Sequence, residues 1–243
     1  MLISKCLSRF FFLSILVSLV GCASVQQPVS FNLKPESNLS IGVVQVASPE
    51  PGAQYTGNIG LLDLAIIAAA NGGLNKHLKT QEFASDYQSL PKEVGKILES
   101  QGYKVVMIDK DIDAKAGAKF KNPQKGVNKT DFSKYKTEYG ISHLLVLKMP
   151  MVGTTRSYYG PVPLTEPTAQ AIINAMVVDL QSNKLEWYTT ATSSKVIEKP
   201  WDEGDKKWPN LTNSVFTAVD EATKLIKTEL ENPDLVNRQV SAK

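Results

Sequence analysis

The chain has 243 residues, 27 lysine and arginine against 24 aspartate and glutamate, two histidines and two cysteines, for a formal charge of +3. Near-neutrality gives no basic footprint for nucleic acid. Two cysteines, Cys6 and Cys22, cannot supply the usual thiolate sets of a zinc site.

Lys5 and Arg9 open the chain, and Phe10 to Val20 form an apolar run broken only by Ser14 and Ser18. A short positive start followed by a short apolar run has the parts of an export signal, and it falls below the roughly 20 residues needed to span a bilayer. Leu19-Val20-Gly21-Cys22 then resembles the lipobox of bacterial lipoproteins. The resemblance implies cleavage before Cys22 and acylation of its sulfur, with membrane lipid as the first partner. Ala23, rather than aspartate, implies the outer membrane and its periplasmic face.

An ordinary signal peptide is the alternative, and it leaves Cys22 as an odd thiol in an oxidising compartment. Removing residues 1–21 leaves 222 residues and, with Lys5 and Arg9 gone, a balance of +1. Only Arg156 and Arg238 then remain as arginines, which disfavours a dedicated phosphate-reading surface.

Residues 22–40 read as the lipidated cysteine and a flexible tether, 41–232 as a single domain, and 233–243 as a tail. Ile41 to Ala47 is a short apolar strand ended by Pro49 and Pro51. GLLDLAIIAAANGGLNKHLKT, residues 60–80, is apolar nearly all round in its first half, which predicts a helix buried on more than one side. An oligomer or partner contact through its small residues is the second reading, and the run is too short to span a membrane.

Pro91 suits the opening turn of a helix carrying Val94, Ile97 and Leu98; Gly102 stops it and YKVVMID forms a strand. Asp131 caps a short helix with Phe132 and Tyr135, Gly140 ends it, and ISHLLVLKM is the next strand. The intervening loop presents Lys115, Lys119, Lys121, Lys125 and Lys129 as a solvated charge run. Residues 142–158 and 169–197 are rich in β-formers, with a hairpin turn at Gln181 to Lys184. Asn210 or Thr212 starts a final helix whose stripe is Val215, Val219, Ala222, Ile226 and Leu230, ended by Pro233.

The fold class that follows is α/β (α+β), a mixed sheet of about five strands with helices packed on it, including a C-terminal helix. The order of elements, and VVDLQSNKLEW with Asp179 closing one strand and Trp187 on the return, resemble a periplasmic domain. It is shared by curli-secretion lipoproteins, the amino-terminal domain of the Tol-system propeller protein and lipoprotein activators of penicillin-binding proteins. Asn183 stands where that pattern usually has glycine, and the resemblance, over residues 40–230 in outline, implies a fold rather than an activity.

Several chemical signatures fail on their spacing. Ser142-His143 lacks the second glycine of a nucleophile elbow and opens a strand. Asp109, Asp111 and Asp113 mimic a calcium loop, but Ala114 and Phe120 occupy its glycine and glutamate positions. Gly117 and Gly126 bracket the wrong interval for a phosphate loop, and Val127 replaces its lysine. His77 and His143 read as structural, so neither metal nor cofactor is expected. Asp202, Glu203 and Asp205 with Trp201 and Trp208 form a generic set that a cell-wall hydrolase would need, more simply read as a loop held by two rings.

RSYYGPVPL, residues 156–164, is the best contact candidate, since Arg156, Tyr158 and Tyr159 are types favoured at binding hot spots. No catalytic residue is assigned. The expected function is that of a non-catalytic interaction module in envelope assembly, secretion or cell-wall synthesis, with an envelope protein or a second copy as partner. An oligomeric secretion-channel subunit is the alternative and a cell-wall hydrolase the third reading.

Overall fold

A computed structural model describes residues 26–36, 38–110, 112, 119–120, 126–197, 200–202 and 207–233. The signal, Cys22 and the C-terminal tail lie outside the described residues. The fold is mixed α/β. Its sheet runs β3 (Lys104–Met107), β1 (Ser40–Gln45), β4 (His143–Tyr159), β6 (Thr168–Asp179), β7 (Leu185–Val196). Two further strands, β2 (Gly52–Asn58) and β5 (Val162–Pro163), also pair with β4. β1 and β2 are parallel to β4, whereas β6 and β7 are antiparallel.

Strand alternation explains the two layers of core. Ile41, Val43, Leu145, Leu147, Val177 and Trp187 face one side. Val44, Val46, Leu144, Val146 and Val178 face the other. Side chains of successive strand residues point to opposite faces, so a run such as Leu144 to Leu147 feeds both cores. α3 (Ser85–Ser100) and α5 (Pro209–Glu231) cover the first face, and α4 (Lys134–Tyr139) with Ile108, Ile112 and Phe132 covers part of the second. Val215, Val219, Ala222, Ile226 and Leu230 of α5 are fully buried, as their spacing predicts.

Pro91 lies inside α3, not in its opening turn, because the helix begins at Ser85. Proline cannot donate to the carbonyl four residues back. That carbonyl, on Tyr87, instead accepts Gln45 Nε2 at 3.1 Å from β1. The Tyr87 hydroxyl donates to the carbonyls of Val46 (2.8 Å) and Leu147 (3.0 Å), fixing α3 to the sheet a second time.

Part of the predicted tether is docked. Val29 and Tyr188 exchange both backbone hydrogen bonds, at 2.9 and 3.0 Å. Phe31 is buried edge-on against Tyr103 and Trp187, each with centroids 5.8 Å apart. The Tyr103 hydroxyl then donates to the Leu33 carbonyl at 2.6 Å. An aromatic ring in an otherwise polar segment gains enough by burial to hold the chain down.

β2 is a strand in a stretch to which residue order assigned no element. It continues the line of β1 along the same edge of β4: β1 pairs with residues 143–147 and β2 with residues 153–159. Pro49 and Pro51 interrupt the line but do not end it. β4 itself carries a bulge between Lys148 and Met151, at Pro150, and there the pairing with β6 changes register.

The helix expected to be core is largely not. α1 (Leu61–Ala70) buries only Ile67, while Leu61 and Leu62 are 91% and 75% exposed. α2 (Gly72–Lys79) follows after Asn71 and does bury Leu74 and Leu78. Apolarity all round fitted a core helix, but the sheet has already filled its face with α3 and α5.

Candidate functional site

The long strand β4 ends in the sequence singled out for contact, and the structure brings its neighbours together from three directions. Tyr158 is 3% exposed and packs edge-on to Tyr55 of β2, with centroids 5.7 Å apart. Its hydroxyl accepts from Asn71 Nδ2 at 3.2 Å, and that amide also donates to the Ile67 carbonyl at 2.8 Å. Asn75 Nδ2 donates to the Tyr55 hydroxyl at 2.9 Å, while its Oδ1 accepts the Ala53 N–H at 2.8 Å. Burial pushes the Tyr55 hydroxyl up in pKa, against the opposing effect of Asn75, and the two packed rings serve as pillars. Asn71 and Asn75 thus tie the α1–α2 junction to the end of the sheet.

Arg156 lies on this frame. Its guanidinium stacks over Trp201 at 5.1 Å and over Tyr158 at 5.8 Å, and Nε donates to the Thr165 carbonyl at 2.6 Å. Such a stack holds the planar fork in one orientation before any partner arrives. Ser157 N–H donates to Thr165 Oγ1 and Leu164 N–H to the Ser157 carbonyl, closing the β4–β5 hairpin. Tyr159 is 66% exposed. Of the two adjacent tyrosines, one is a pillar and the other is presented.

No family model and no curated protein matches the chain. Solved structures do align with it. One is the hypothetical protein CT253 from Chlamydia trachomatis, at 12% identity and a TM-score of 0.37, over 82% of this chain and 97% of that one. Another is the PelC dodecamer from Paraburkholderia phytofirmans, at 10% and 0.38, over 85% and 94%. A third is lipoprotein GNA1162 from Neisseria meningitidis, at 16% and 0.27, over 75% and 98%. At these identities and scores the reading of function rests on the residues themselves.

The other flagged residues are dispersed. Trp208 is buried beside His77, with ring centroids 5.1 Å apart, and Trp201 lies under Arg156, so neither ring is a free platform for sugar. Asp202 is exposed, whereas Glu203 and Asp205 lie outside the described residues. Lys119 is placed by a bridge to Thr130, and Lys129 accepts the Phe120 N–H on its carbonyl. Lys115, Lys121, Lys125, Asp111 and Asp113 lie outside the described residues.

Ser142 and His143 touch, with Oγ and Nδ1 2.9 Å apart, but Ser142 Oγ donates to the Ser40 carbonyl and accepts the Ser40 N–H, both at 3.0 Å. The hydroxyl hydrogen is committed to backbone, so Ser142 fastens the start of β4 to β1 through Ser40.

Asn183, where the resemblance has glycine, adopts φ 60°, a region asparagine enters more readily than other side chains. Its Nδ2 donates to the carbonyls of Asn128 (2.7 Å) and Thr130 (3.0 Å), a bond glycine lacks. The turn is closed by Asp179, whose carboxylate accepts the N–H groups of Gln181 and Ser182 at 2.6 and 3.0 Å.

These groups set the response to pH. Burial lowers the pKa of His77, and burial lowers that of His143 against the pull of Asp179 and Glu186. Both are therefore neutral in the fold where the unfolded chain, near 6.5, has begun to bind protons. Stability is expected to fall as pH drops below about 6.5, and His143→Gln should flatten part of the slope in urea titrations between about pH 7.5 and 5.5. A further loss below about pH 4.5 comes from Glu93 and Glu221, held low by Lys227 and Lys195.

Proposed function

We propose that the protein is an outer-membrane lipoprotein, anchored through Cys22 on the periplasmic face, that works as a non-catalytic interaction module in envelope assembly, secretion or cell-wall synthesis. The lipobox supports the anchor. The observation that carries the interaction is the stack of Arg156 on Trp201 and Tyr158 beside an exposed Tyr159. Arginine and tyrosine at a rigid site lose little freedom on binding, which is what distinguishes an anchor residue from an incidental contact.

A photo-crosslinking residue at Tyr159 in cells is expected to capture one defined envelope protein. Arg156→Ala should weaken that complex by about 30-fold, the scale of a hot spot, with the thermal midpoint of the free protein changed by no more than about 2 °C, as for a surface substitution. Capture of no envelope protein, or capture unaffected by Arg156→Ala, argues against the assignment.

A further inference from the structure

We infer that α1 and the β4–β5 hairpin form a second, non-covalent membrane contact, a wedge that enters one leaflet of the bilayer to which the chain is attached. Among the described residues ten large hydrophobic side chains are exposed, and seven of them belong to this one end of the molecule. Leu61, Leu62, Leu64 and Ile66 lie on α1, and Val162 and Leu164 on or beside β5; Tyr159 is the seventh. The two elements are contiguous. A methyl group built on Gly160 would sit 3.8 Å from the Asp63 carboxylate, which accepts the Gly60 N–H at 3.0 Å.

Lipid, rather than a protein partner, is indicated by the shape of the apolar surface. At 100° per residue, the four large side chains of α1 spread over about 200° of its circumference. A partner's surface covers one stripe of a helix, whereas a fluid surrounds it. Asp63 is the only charged residue on α1, and the polar α2 that follows exposes Lys76 and Lys79, as suits a segment returning through the headgroups. Tyr159, the partner contact proposed above, lies at the border of this apolar end, and its amphipathic ring stays at the headgroup level, open to a periplasmic partner. The ten residues of α1 extend about 15 Å, half the hydrocarbon thickness, so the helix can enter one leaflet and cannot cross.

The direction of the N-terminal segment gives the second argument. Val29 pairs antiparallel with Tyr188, so the chain approaches Val29 from the Val196 end of β7. Val196 is level with Thr168, and Thr168 with Thr155, three residues before Tyr158. Seven peptide steps from Val29 to Cys22 reach at most about 25 Å. An acyl chain on Cys22 is therefore within reach of the bilayer face that the apolar end would enter. This inference rests on acylation of Cys22 for its geometry.

The test uses the full chain, processed in cells, purified in detergent and reconstituted into phosphatidylethanolamine–phosphatidylglycerol vesicles. An acylated Cys22 leaves no free thiol, so Leu62→Cys accepts a single nitrobenzoxadiazole probe; Glu99→Cys, on exposed surface at the C-terminal end of α3, is the control. The probe at position 62 is expected to shift to the blue and to be quenched by doxyl-labelled lipid at least threefold more than the probe at position 99. Equal quenching overturns the inference, whether the probe at 62 stays in water or is shielded by a second copy of the chain.

Intact mass of the same sample scores the anchor separately. If Cys22 carries no acyl chain, the chain should still bind the vesicles, and Leu61→Asp with Leu62→Asp should lower that binding at least tenfold without shifting the thermal midpoint. Unchanged binding overturns the wedge on its own.

Discussion

Trp187→Ala is expected to destabilise the protein by about 3–5 kcal/mol, the range for truncating a fully buried tryptophan. Trp187 is completely inaccessible and meets Phe31 edge-on, so its loss opens a cavity between the sheet, α5 and the docked N-terminal segment. Its Nε1 donates to Glu229 Oε1 at 3.2 Å, and the Thr189 hydroxyl donates to the other carboxylate oxygen at 2.6 Å. Burial raises the pKa of Glu229 against these two donors. Removing one donor leaves a half-buried carboxylate worse satisfied, which adds to the cavity. A fall in the urea midpoint at unchanged slope, accompanied by faster proteolysis at residues 29–33, is the expected result. Destabilisation below about 1 kcal/mol would mean that the N-terminal segment and Trp187 are not packed as described.

The second large effect is at Gly153. Its φ of 137° is unsuited to other residues, and a Cβ would lie 2.1 Å from the Gly52 carbonyl oxygen and 2.9 Å from its nitrogen. These are backbone atoms of the paired strand, so neither can turn aside. Gly57 has the same relation to Tyr158, with its built Cβ 2.1 Å from that carbonyl. Gly153→Ala must therefore part β2 from β4, at about 3 kcal/mol for strain and lost pairing together. Gly126→Ala is the control: its φ is 83°, but nothing lies within 4 Å of the added carbon, so it should cost only about 1–2 kcal/mol. The two variants should also differ in the partner assay, because β2 carries Tyr55, the support of Tyr158. Equal losses in both would remove the steric account.

How much of this was legible depends on the range of the interaction concerned. The stripe of α5 and the alternation of Leu144 to Leu147 are set by neighbours on the same element, and they read directly from residue order. β2 was not legible, because GAQYTGN has two glycines and few β-branched residues; it is a strand because β4 extends past Pro150 and offers it an edge. Arg156, Tyr158 and Tyr159 were singled out by type; Trp201 was noted only as a ring holding its own loop, and Asn71 and Asn75, which support the two tyrosine pillars from another part of the chain, gave no local signal. Phe31, a ring in a segment that read as a tether, is docked because Tyr103 and Trp187, from distant parts of the chain, receive it. The exposure of Leu61 and Leu62 was invisible for a different reason: apolarity specifies that a side chain leaves water, and does not specify for what.

Pro91 carries one more consequence, for the order in which the molecule is assembled. A helix with an interior proline has a carbonyl that its own backbone does not satisfy. In α3 the missing donor arrives from Gln45, forty-two residues earlier in the chain. The helix as an isolated segment is one bond short, and it reaches its full complement only when β1 lies against it. Local and long-range structure are thereby made to form together: α3 has little reason to persist in the unfolded chain, where a free-standing apolar helix would seek the wrong partner.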